Sequence, residues 1–379
     1  MKILADENIP EAKSLFSKHG KVSTFEGRDL DAKRLEDVDA LLVRSITPVT
    51  QQLLKDSNVK FVGTATIGTD HVDMDWLKQQ GINFSNAPGC NAIAVAEYVL
   101  SGLFVISTKY NLDLRTVKVG IIGAGNVGSA LATRLGILGI PYGIYDPPLA
   151  DAGDSRTMMT EEELSDCDIL SFHVPLTNSE QSNWPTKQLV NLDYLSKMSA
   201  LKYLFNTCRG AVFKTDDIKS WLAENNERQC IIDVWENEPN IDTELLQKCL
   251  LGTPHIAGHS YEGKVRGTIM LYQAFCKCFD LDCQWDRDKI FGKNLPKDVI
   301  QLQQDLNFMQ ATSSAIWKVY NITDDDKALR AGMKRDLTSH FDRLRKGYKV
   351  RRECTAHRLD ELTVPDGSLR TLKQLGFKS

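Results

Sequence analysis

Long apolar runs and an excess of charge of either sign are both missing from this chain of 379 residues. No apolar stretch approaches the ~20 residues that span a bilayer. Charged residues interrupt the chain from Lys2 to Glu11, so no secretory leader is expected. No membrane partner is expected either. The formal net charge of −4 excludes a general polyanion binder, and no nucleic-acid partner is expected. Low-complexity tracts, internal repeats and Pro- or Ser-rich tails are absent, which leaves little room for disordered partner-binding arms. The nine cysteines are odd in number and form no C-x-x-C pair. Cys276, Cys278 and Cys283 are close together but have no second ligand cluster. Reduced, buried thiols in a cytoplasmic protein and no metal site are the expectation.

What is present is ordinary globular composition, 42% hydrophobic and 25% charged, over a length that suggests two or three domains. The chain is organised around Lys118 to Asp146. A short apolar run, KVGIIG, ends in Gly123, Gly125 and Gly128, a G-x-G-x-x-G with Asn126 and Val127 inside it. An amphipathic helix follows, with Val127, Leu131, Leu135 and Leu138 on one side, and a second strand ends at Asp146. Gly123 allows the tight turn, Gly125 lets backbone approach a pyrophosphate, and Gly128 lets the helix pack close to the strand. The helix N-terminus presents unpaired N–H groups to the phosphates. Asp146, 18 residues after the last glycine, is placed to bond a ribose 2′-OH and to repel a 2′-phosphate. NAD is therefore favoured over NADP. A lone glycine motif is weak, but strand, helix, second strand and terminal acid occur here in order.

Strands and helices alternate on both sides of this stretch. Strands are expected at 1–5, 40–43, 59–62 and 82–85, with helices at 11–19 and 73–80 and a helix start at Thr47-Pro48. Residues 91–108 read as a long, strongly apolar helix. Further strands are expected at 168–174, 201–206, 230–234 and 250–254, with helices at 215–224 and 261–280. Such repetition gives doubly wound parallel sheets, in which ligands bind at the carboxyl ends of strands. The polar clusters NTCRG, DVWENEP and TPHIAGHS all lie just past strands. Residues 286–296 look like a linker. Beyond it, helical periodicity over 298–318 and 326–346 suggests a small third domain.

Arg209, Glu238 and His255 stand in those clusters. Oxidising an alcohol beside a nicotinamide needs a base, and His titrates nearest neutral pH. A carboxylate beside it favours the imidazolium and fixes the ring. An Arg fork can hold a substrate carboxylate bidentately. Each alone has a plainer reading, as a surface pair, loop polarity or a core histidine. Together, downstream of a dinucleotide fold, they point to a dehydrogenase; a methyltransferase reading of the glycine loop leaves them unexplained.

The motifs VRSITPVT, GTATIGTDHVD, NAPGCNAIAVAEYVL, VGIIGAGNVG, SFHVPLT, NTCRGAVF, DVWENEP and TPHIAGHS resemble, in order, those of the D-isomer-specific 2-hydroxyacid dehydrogenases. The resemblance covers residues 1 to about 280. It implies two Rossmann-like α/β domains: a substrate-binding domain from 1–100 and 258–285, and an NAD-binding domain at 101–257. It makes Arg209, Glu238 and His255 the catalytic set, with His255 as acid/base. NAD contacts are implied at the glycine loop, Asp146, Pro175, Thr207, Cys208, Arg209, Asp233 and Gly258. The family usually inserts a dimerisation arm before the glycine loop, whereas only 109–117 lie there in this chain. That gap resembles a branch that acts on a phosphorylated 2-hydroxy acid and forms homodimers through an extra C-terminal α+β domain, here 287–379. Arg44, Ser45 and Thr66 are then candidates for the substrate's phosphate, and His259 stands where that branch carries Tyr. Residues 331–352 hold eight Lys or Arg against two Asp, including Arg343, Arg345, Arg351 and Arg352. These read either as a solvated face or as cations reaching a partner protomer's site. Glycerate or 3-phosphoglycerate as substrate, and an NAD-sensing corepressor-like scaffold, remain open alternatives.

Overall fold

The computed structural model describes residues 1–27, 30–293, 295–334 and 336–379. Packing divides the chain into two compact units, Met1–Asn91 with Ser260–Leu295, and Ala92–His259 with Pro296–Ser379.

The first unit is built on five parallel strands, β1 (Lys2–Asp6), β2 (Lys21–Phe25), β3 (Ala40–Val43), β4 (Phe61–Thr64) and β5 (Asn83–Ser85), in the order β2-β1-β3-β4-β5. β2 was not expected from the sequence. It is an edge strand with only Phe25 buried, so it has no apolar run to read. The helix Tyr261–Cys278 covers one face, packing Val265, Tyr272 and Phe275 on Ile3, Ala5 and Phe61. From β1 the chain moves to one side for β2 and to the other for β3. The crevice of such a sheet lies at the carboxyl ends of β1 and β3. Asp6 and Arg44 sit there.

The second unit has six parallel strands: β6 (Val119–Ile122), β7 (Tyr142–Tyr145), β8 (Ile169–Phe172), β9 (Tyr203–Asn206), β10 (Gln229–Ile232) and β11 (Leu251–Gly252). Their order is β11-β10-β9-β8-β6-β7, and the crevice lies past β6 and β8. The helix Ala92–Tyr110 is, contrary to the sequence expectation, long and apolar enough to cross a bilayer. It is a core helix instead: 72% of its apolar window is buried in this unit. Leu103 and Phe104 pack with Leu131, Leu135 and Phe205. A Cβ on Gly102 would lie 2.7 Å from the Phe205 ring, so the helix can approach the sheet only with glycine there.

The C-terminal segment does not form a compact unit of its own. Its helices Phe308–Val319, Ile322–Arg330 and Leu337–Lys346 share cores with the six-stranded sheet and the Ala92–Tyr110 helix. Ser101 Oγ donates to Tyr320 O and accepts from Ile322 N–H, so a buried hydroxyl fastens the segment to the core helix. Residues 299–300, expected to be helical, form β12 (Val299–Ile300), which pairs in parallel with β13 (Arg358–Leu359). The expected helix 326–346 is interrupted after Arg330 and resumes at Leu337. The boundary between units falls at Asn91, before the core helix rather than near 100.

Candidate active site

The glycine loop has the geometry a pyrophosphate needs. Gly123 adopts φ +92°, and a Cβ there would lie 2.7 Å from His173 O. A Cβ on Gly128 would lie 2.0 Å from Gly123 O, so strand and helix touch. Gly125 faces open space: nothing lies within 4 Å of where its Cβ would be. It caps the helix Asn126–Leu138 without a side-chain bond, which leaves first-turn N–H groups open beside exposed Asn126. Asp146 accepts from Ala124 N–H (2.8 Å) through Oδ2 and from Leu149 N–H (3.1 Å) through Oδ1. It thus fixes the turn as well as being available to a ribose. Arg156, which sequence reasoning missed, donates to Ala124 O (2.9 Å) and Ser129 Oγ (2.8 Å) while paired with Asp154. No motif marks it, because it lies eleven residues past the end of β7. These residues fit a dinucleotide.

The catalytic candidates lie at the opposite edge of the same sheet. His255 Nδ1 donates to Glu238 Oε2 at 2.7 Å. His255 holds a left-handed backbone, φ +55°, uncommon for a residue with a Cβ. Asp233 enforces it. Its buried carboxylate accepts from Thr253 Oγ1 (2.6 Å), Ile256 N–H (2.8 Å) and Ala257 N–H (2.9 Å), and its own carbonyl accepts from His255 N–H (2.7 Å). Tyr98 reaches Thr253 Oγ1 from the core helix at 2.7 Å. Burial raises the Glu238 carboxyl, but the His255 ring, the Trp235 N–H and Arg345 outweigh it and hold the group below the usual carboxylate range. The imidazole side chain is 35% exposed and open to a ligand.

The loop after β9 meets this one closely. A Cβ on Gly210 would lie 1.9 Å from the Trp235 carbonyl, so Arg209 approaches only because glycine follows it. Buried Asn206 shapes the turn, accepting from Cys208 N–H and donating to Arg209 O. Burial pushes the Cys208 thiol up to about 11, so it is inert. Thr207 Oγ1 pairs with His173 Nδ1 at 3.0 Å, and Ser171 with His173 Nε2 at 2.9 Å. Burial pushes His173 down to about 3, which keeps it neutral. His173 lies within SFHVPLT, a motif that does not by itself reveal this buried role. Pro175 is exposed, and its carbonyl accepts from Thr186 Oγ1. Gly258 sits in the turn closed by His259 N–H on Ile256 O.

The family model for the D-isomer specific 2-hydroxyacid dehydrogenase NAD binding domain matches residues 94–257. An erythronate-4-phosphate dehydrogenase from Hahella chejuensis is 39% identical over 100% of this chain and 99% of its own. One from Proteus mirabilis is 44% identical over 94% of each. The chain belongs to the erythronate-4-phosphate dehydrogenases. It is an NAD-dependent dehydrogenase of the 2-hydroxyacid type. The same fold occurs in an NAD-bound 3-phosphoglycerate dehydrogenase of Entamoeba histolytica (TM-score 0.61, 21% identity, covering 76% of this chain and 99% of that one). Residues 294–376 match a domain of unknown function.

In the first unit, Arg44 Nε donates to buried Asp6 at 2.9 Å, and the Arg44 side chain stays 31% exposed. Ser45 is exposed. Lys264, on the Tyr261–Cys278 helix, is exposed and lies near Arg44; partial desolvation by the surrounding protein and that neighbouring cation lower its ammonium pKa. Sequence reading missed it, since it lies 220 residues from Arg44. The expected helix start at Thr47-Pro48 is not observed. The helix is the single turn Gln51–Leu54, capped by Thr50, while Thr47 is buried on Gly27 O. A four-residue turn beginning at Gln51 offers no helix N-terminus beside Arg44 and Ser45, so any anion there would be held by side chains. Thr66 Oγ1 lies 2.8 Å from Thr64 Oγ1, which reaches His71 at 2.9 Å.

The C-terminal cations divide into two sets, with Arg335 outside the described residues. Arg351 is buried and donates to Ala257 O (3.0 Å) and Ala94 O (2.7 Å). Arg352 is also buried. Arg351 is thus committed within its own chain. Arg343 is exposed, and Arg345 reaches Glu238 of its own chain at 4.0 Å. His259 stacks edge-on with Tyr348, ring centroids 5.7 Å apart.

Proposed function

We propose that this protein oxidises 4-phospho-D-erythronate to (R)-3-hydroxy-2-oxo-4-phosphooxybutanoate, a step of pyridoxal 5′-phosphate synthesis. The His255–Glu238 pair at the carboxyl edge of an NAD-binding sheet, in a chain whose full-length relatives carry that name, supports the reading. His255 Nε2 takes the proton of the 2-hydroxyl; Glu238 holds Nδ1–H and stabilises the imidazolium. Arg209 holds the substrate carboxylate and polarises C2. NAD, when bound, supplies the acceptor for the hydride leaving C2. Gly123, Gly125, Asn126, Val127 and Gly128 would hold the pyrophosphate, and Asp146 the ribose. Pro175, Thr207, Cys208, Asp233 and Gly258 would line the nicotinamide end, with His173 kept neutral behind Thr207. Arg44, Lys264, Ser45 and Thr66 would take the phosphate, and His259 would line the substrate's side of the base.

The protein is proposed to act in the cytoplasm as a homodimer through its C-terminal segment. Val350 (73% exposed) and Leu362 (86%) are unusual surface residues, and both lie in that segment. Light scattering on V350E and L362E tests the dimer. NADH formation on 4-phosphoerythronate, against 3-phosphoglycerate and glycerate, tests the substrate. A higher kcat/KM for either alternative overturns it, and no turnover of any of the three favours the scaffold.

A further inference from the structure

Residues 294–376 match a domain of unknown function, yet one of their side chains reaches the His255–Glu238 pair. The helix Leu337–Lys346 buries Leu337 and Phe341 in the core that also holds Trp235, Ile241 and Leu246. Thr338 Oγ1 donates to Asn240 Oδ1 at 3.4 Å, beside the Glu238 turn. The preceding helix is bolted on too. Arg330 donates to Leu246 O (2.7 Å) and Cys249 O (2.9 Å), and Asp326 accepts from Gly252 N–H (2.8 Å) of β11, the strand that leads to His255. This framework fixes where Arg345 can point.

Arg345 Nη1 lies 4.0 Å from Glu238 Oε2, the same oxygen that receives His255 Nδ1–H. Its Nε is buried and without a hydrogen-bond partner. The guanidinium therefore faces the Glu238 side of the dyad as a positive charge rather than a tight hydrogen-bonded pair. Other charges face the dyad. Asp233 lies beneath the His255 loop with its carboxylate spent on Thr253, Ile256 and Ala257. Arg209 comes from the loop after β9. Glu236 is turned away, towards Gln188 and Thr215 N–H. Among these, Arg345 alone belongs to the C-terminal segment.

We propose that Arg345 is a positioning residue: it balances the charge of Glu238 and so sets the pH at which His255 becomes a base, making the C-terminal segment part of the catalytic apparatus within one chain. Without Arg345, the full negative charge of Glu238 acts on the imidazole and the imidazolium is over-stabilised. The base is then unavailable until higher pH. The effect is opposite in sign to removing Glu238.

The test uses the full-length protein and two readouts. Diethyl pyrocarbonate acylates only neutral imidazole, so its rate at the His255 peptide against pH, with H255A as blank, gives a midpoint without turnover. R345Q should raise that midpoint by about half to one pH unit, while R345K leaves it in place. R345M, which keeps an unbranched apolar chain of similar length where the guanidinium carbon lies 5.9 Å from the Phe341 ring centroid, replaces R345Q if that variant does not fold. The acid limb of kcat/KM should move up equally, with the Kd for NAD unchanged. An unchanged midpoint in R345Q or R345M overturns the proposal. The inference about turnover rests on the substrate reading above. If wild-type protein fails to oxidise 4-phosphoerythronate, that reading falls, and the acylation midpoints still decide this one.

Discussion

His255 and Glu238 lie 17 residues apart on two different loops, yet Nδ1 and Oε2 meet at 2.7 Å. The contact survives because Asp233 pins the His255 loop from below and the Trp235 N–H donates to Glu238 Oε1 at 2.7 Å. Both partners are held by backbone, so neither must be ordered when substrate arrives.

Replacing His255 with Ala should lower kcat by two or more orders of magnitude, the usual loss for a positioned base. Glu238→Gln should cost less at the optimum and move the acid limb of the oxidation profile to lower pH, since the imidazolium loses its counter-charge. A near-normal kcat in H255A would remove the residue from the mechanism.

NAD should be strongly preferred over NADP. Asp146→Ser should narrow that preference while keeping a cap on the helix Pro147–Asp151. Asp146→Ala removes both the Ala124 and Leu149 anchors. It should therefore also lower Tm by several degrees. Equal kcat/KM for the two cofactors in the unmodified protein contradicts the 2′-OH role.

Arg44→Ala should raise KM for the phosphorylated substrate about tenfold or more and leave NAD binding alone, because Arg44 lies in the other packing unit from the glycine loop. Lys264→Ala should act in the same direction. Truncation at residue 287, in contrast, should give insoluble chain rather than an active monomer: it strips Ala311, Ala315, Ile316 and Phe377 from a core shared with the sheet. A soluble, fully active truncation refutes that.

Glu97 offers a stability test. It is 1% exposed, and burial with nearby Glu353 raises its carboxyl to about 7 against the opposing pull of Arg351 and Arg134. The native state then binds this proton more tightly than the unfolded chain. Between the ordinary value of 4.5 and about 7, folding loses stability as pH rises, by roughly 1.4 kcal/mol per unit at most. Glu97→Gln, which still accepts from Cys354 N–H, should gain Tm over wild type from pH 5 to pH 7.5. A difference that is flat across that range rules out the raised carboxyl.

The sequence by itself determined the α/β class, the glycine loop that ends in Asp146, and the strand-end clusters from which the proposed catalytic set is drawn. Those signals are local, since alternation, turn glycines and strand-end polar clusters need no tertiary information. Its edges were less legible. β2 has one buried residue in five, and the single-turn helix after Thr50 is shorter than any periodic signal. Only tertiary structure decided that the core helix belongs with the NAD-binding sheet and that the C-terminal segment shares its core. It alone brought Lys264 near Arg44, Arg156 onto the glycine loop and Arg345 onto Glu238. Each of those cations acts at a distance in the chain that no periodicity records: 220 residues for Lys264 and 107 for Arg345. A long charged side chain reads as solvated surface until folding shows what stands opposite its tip.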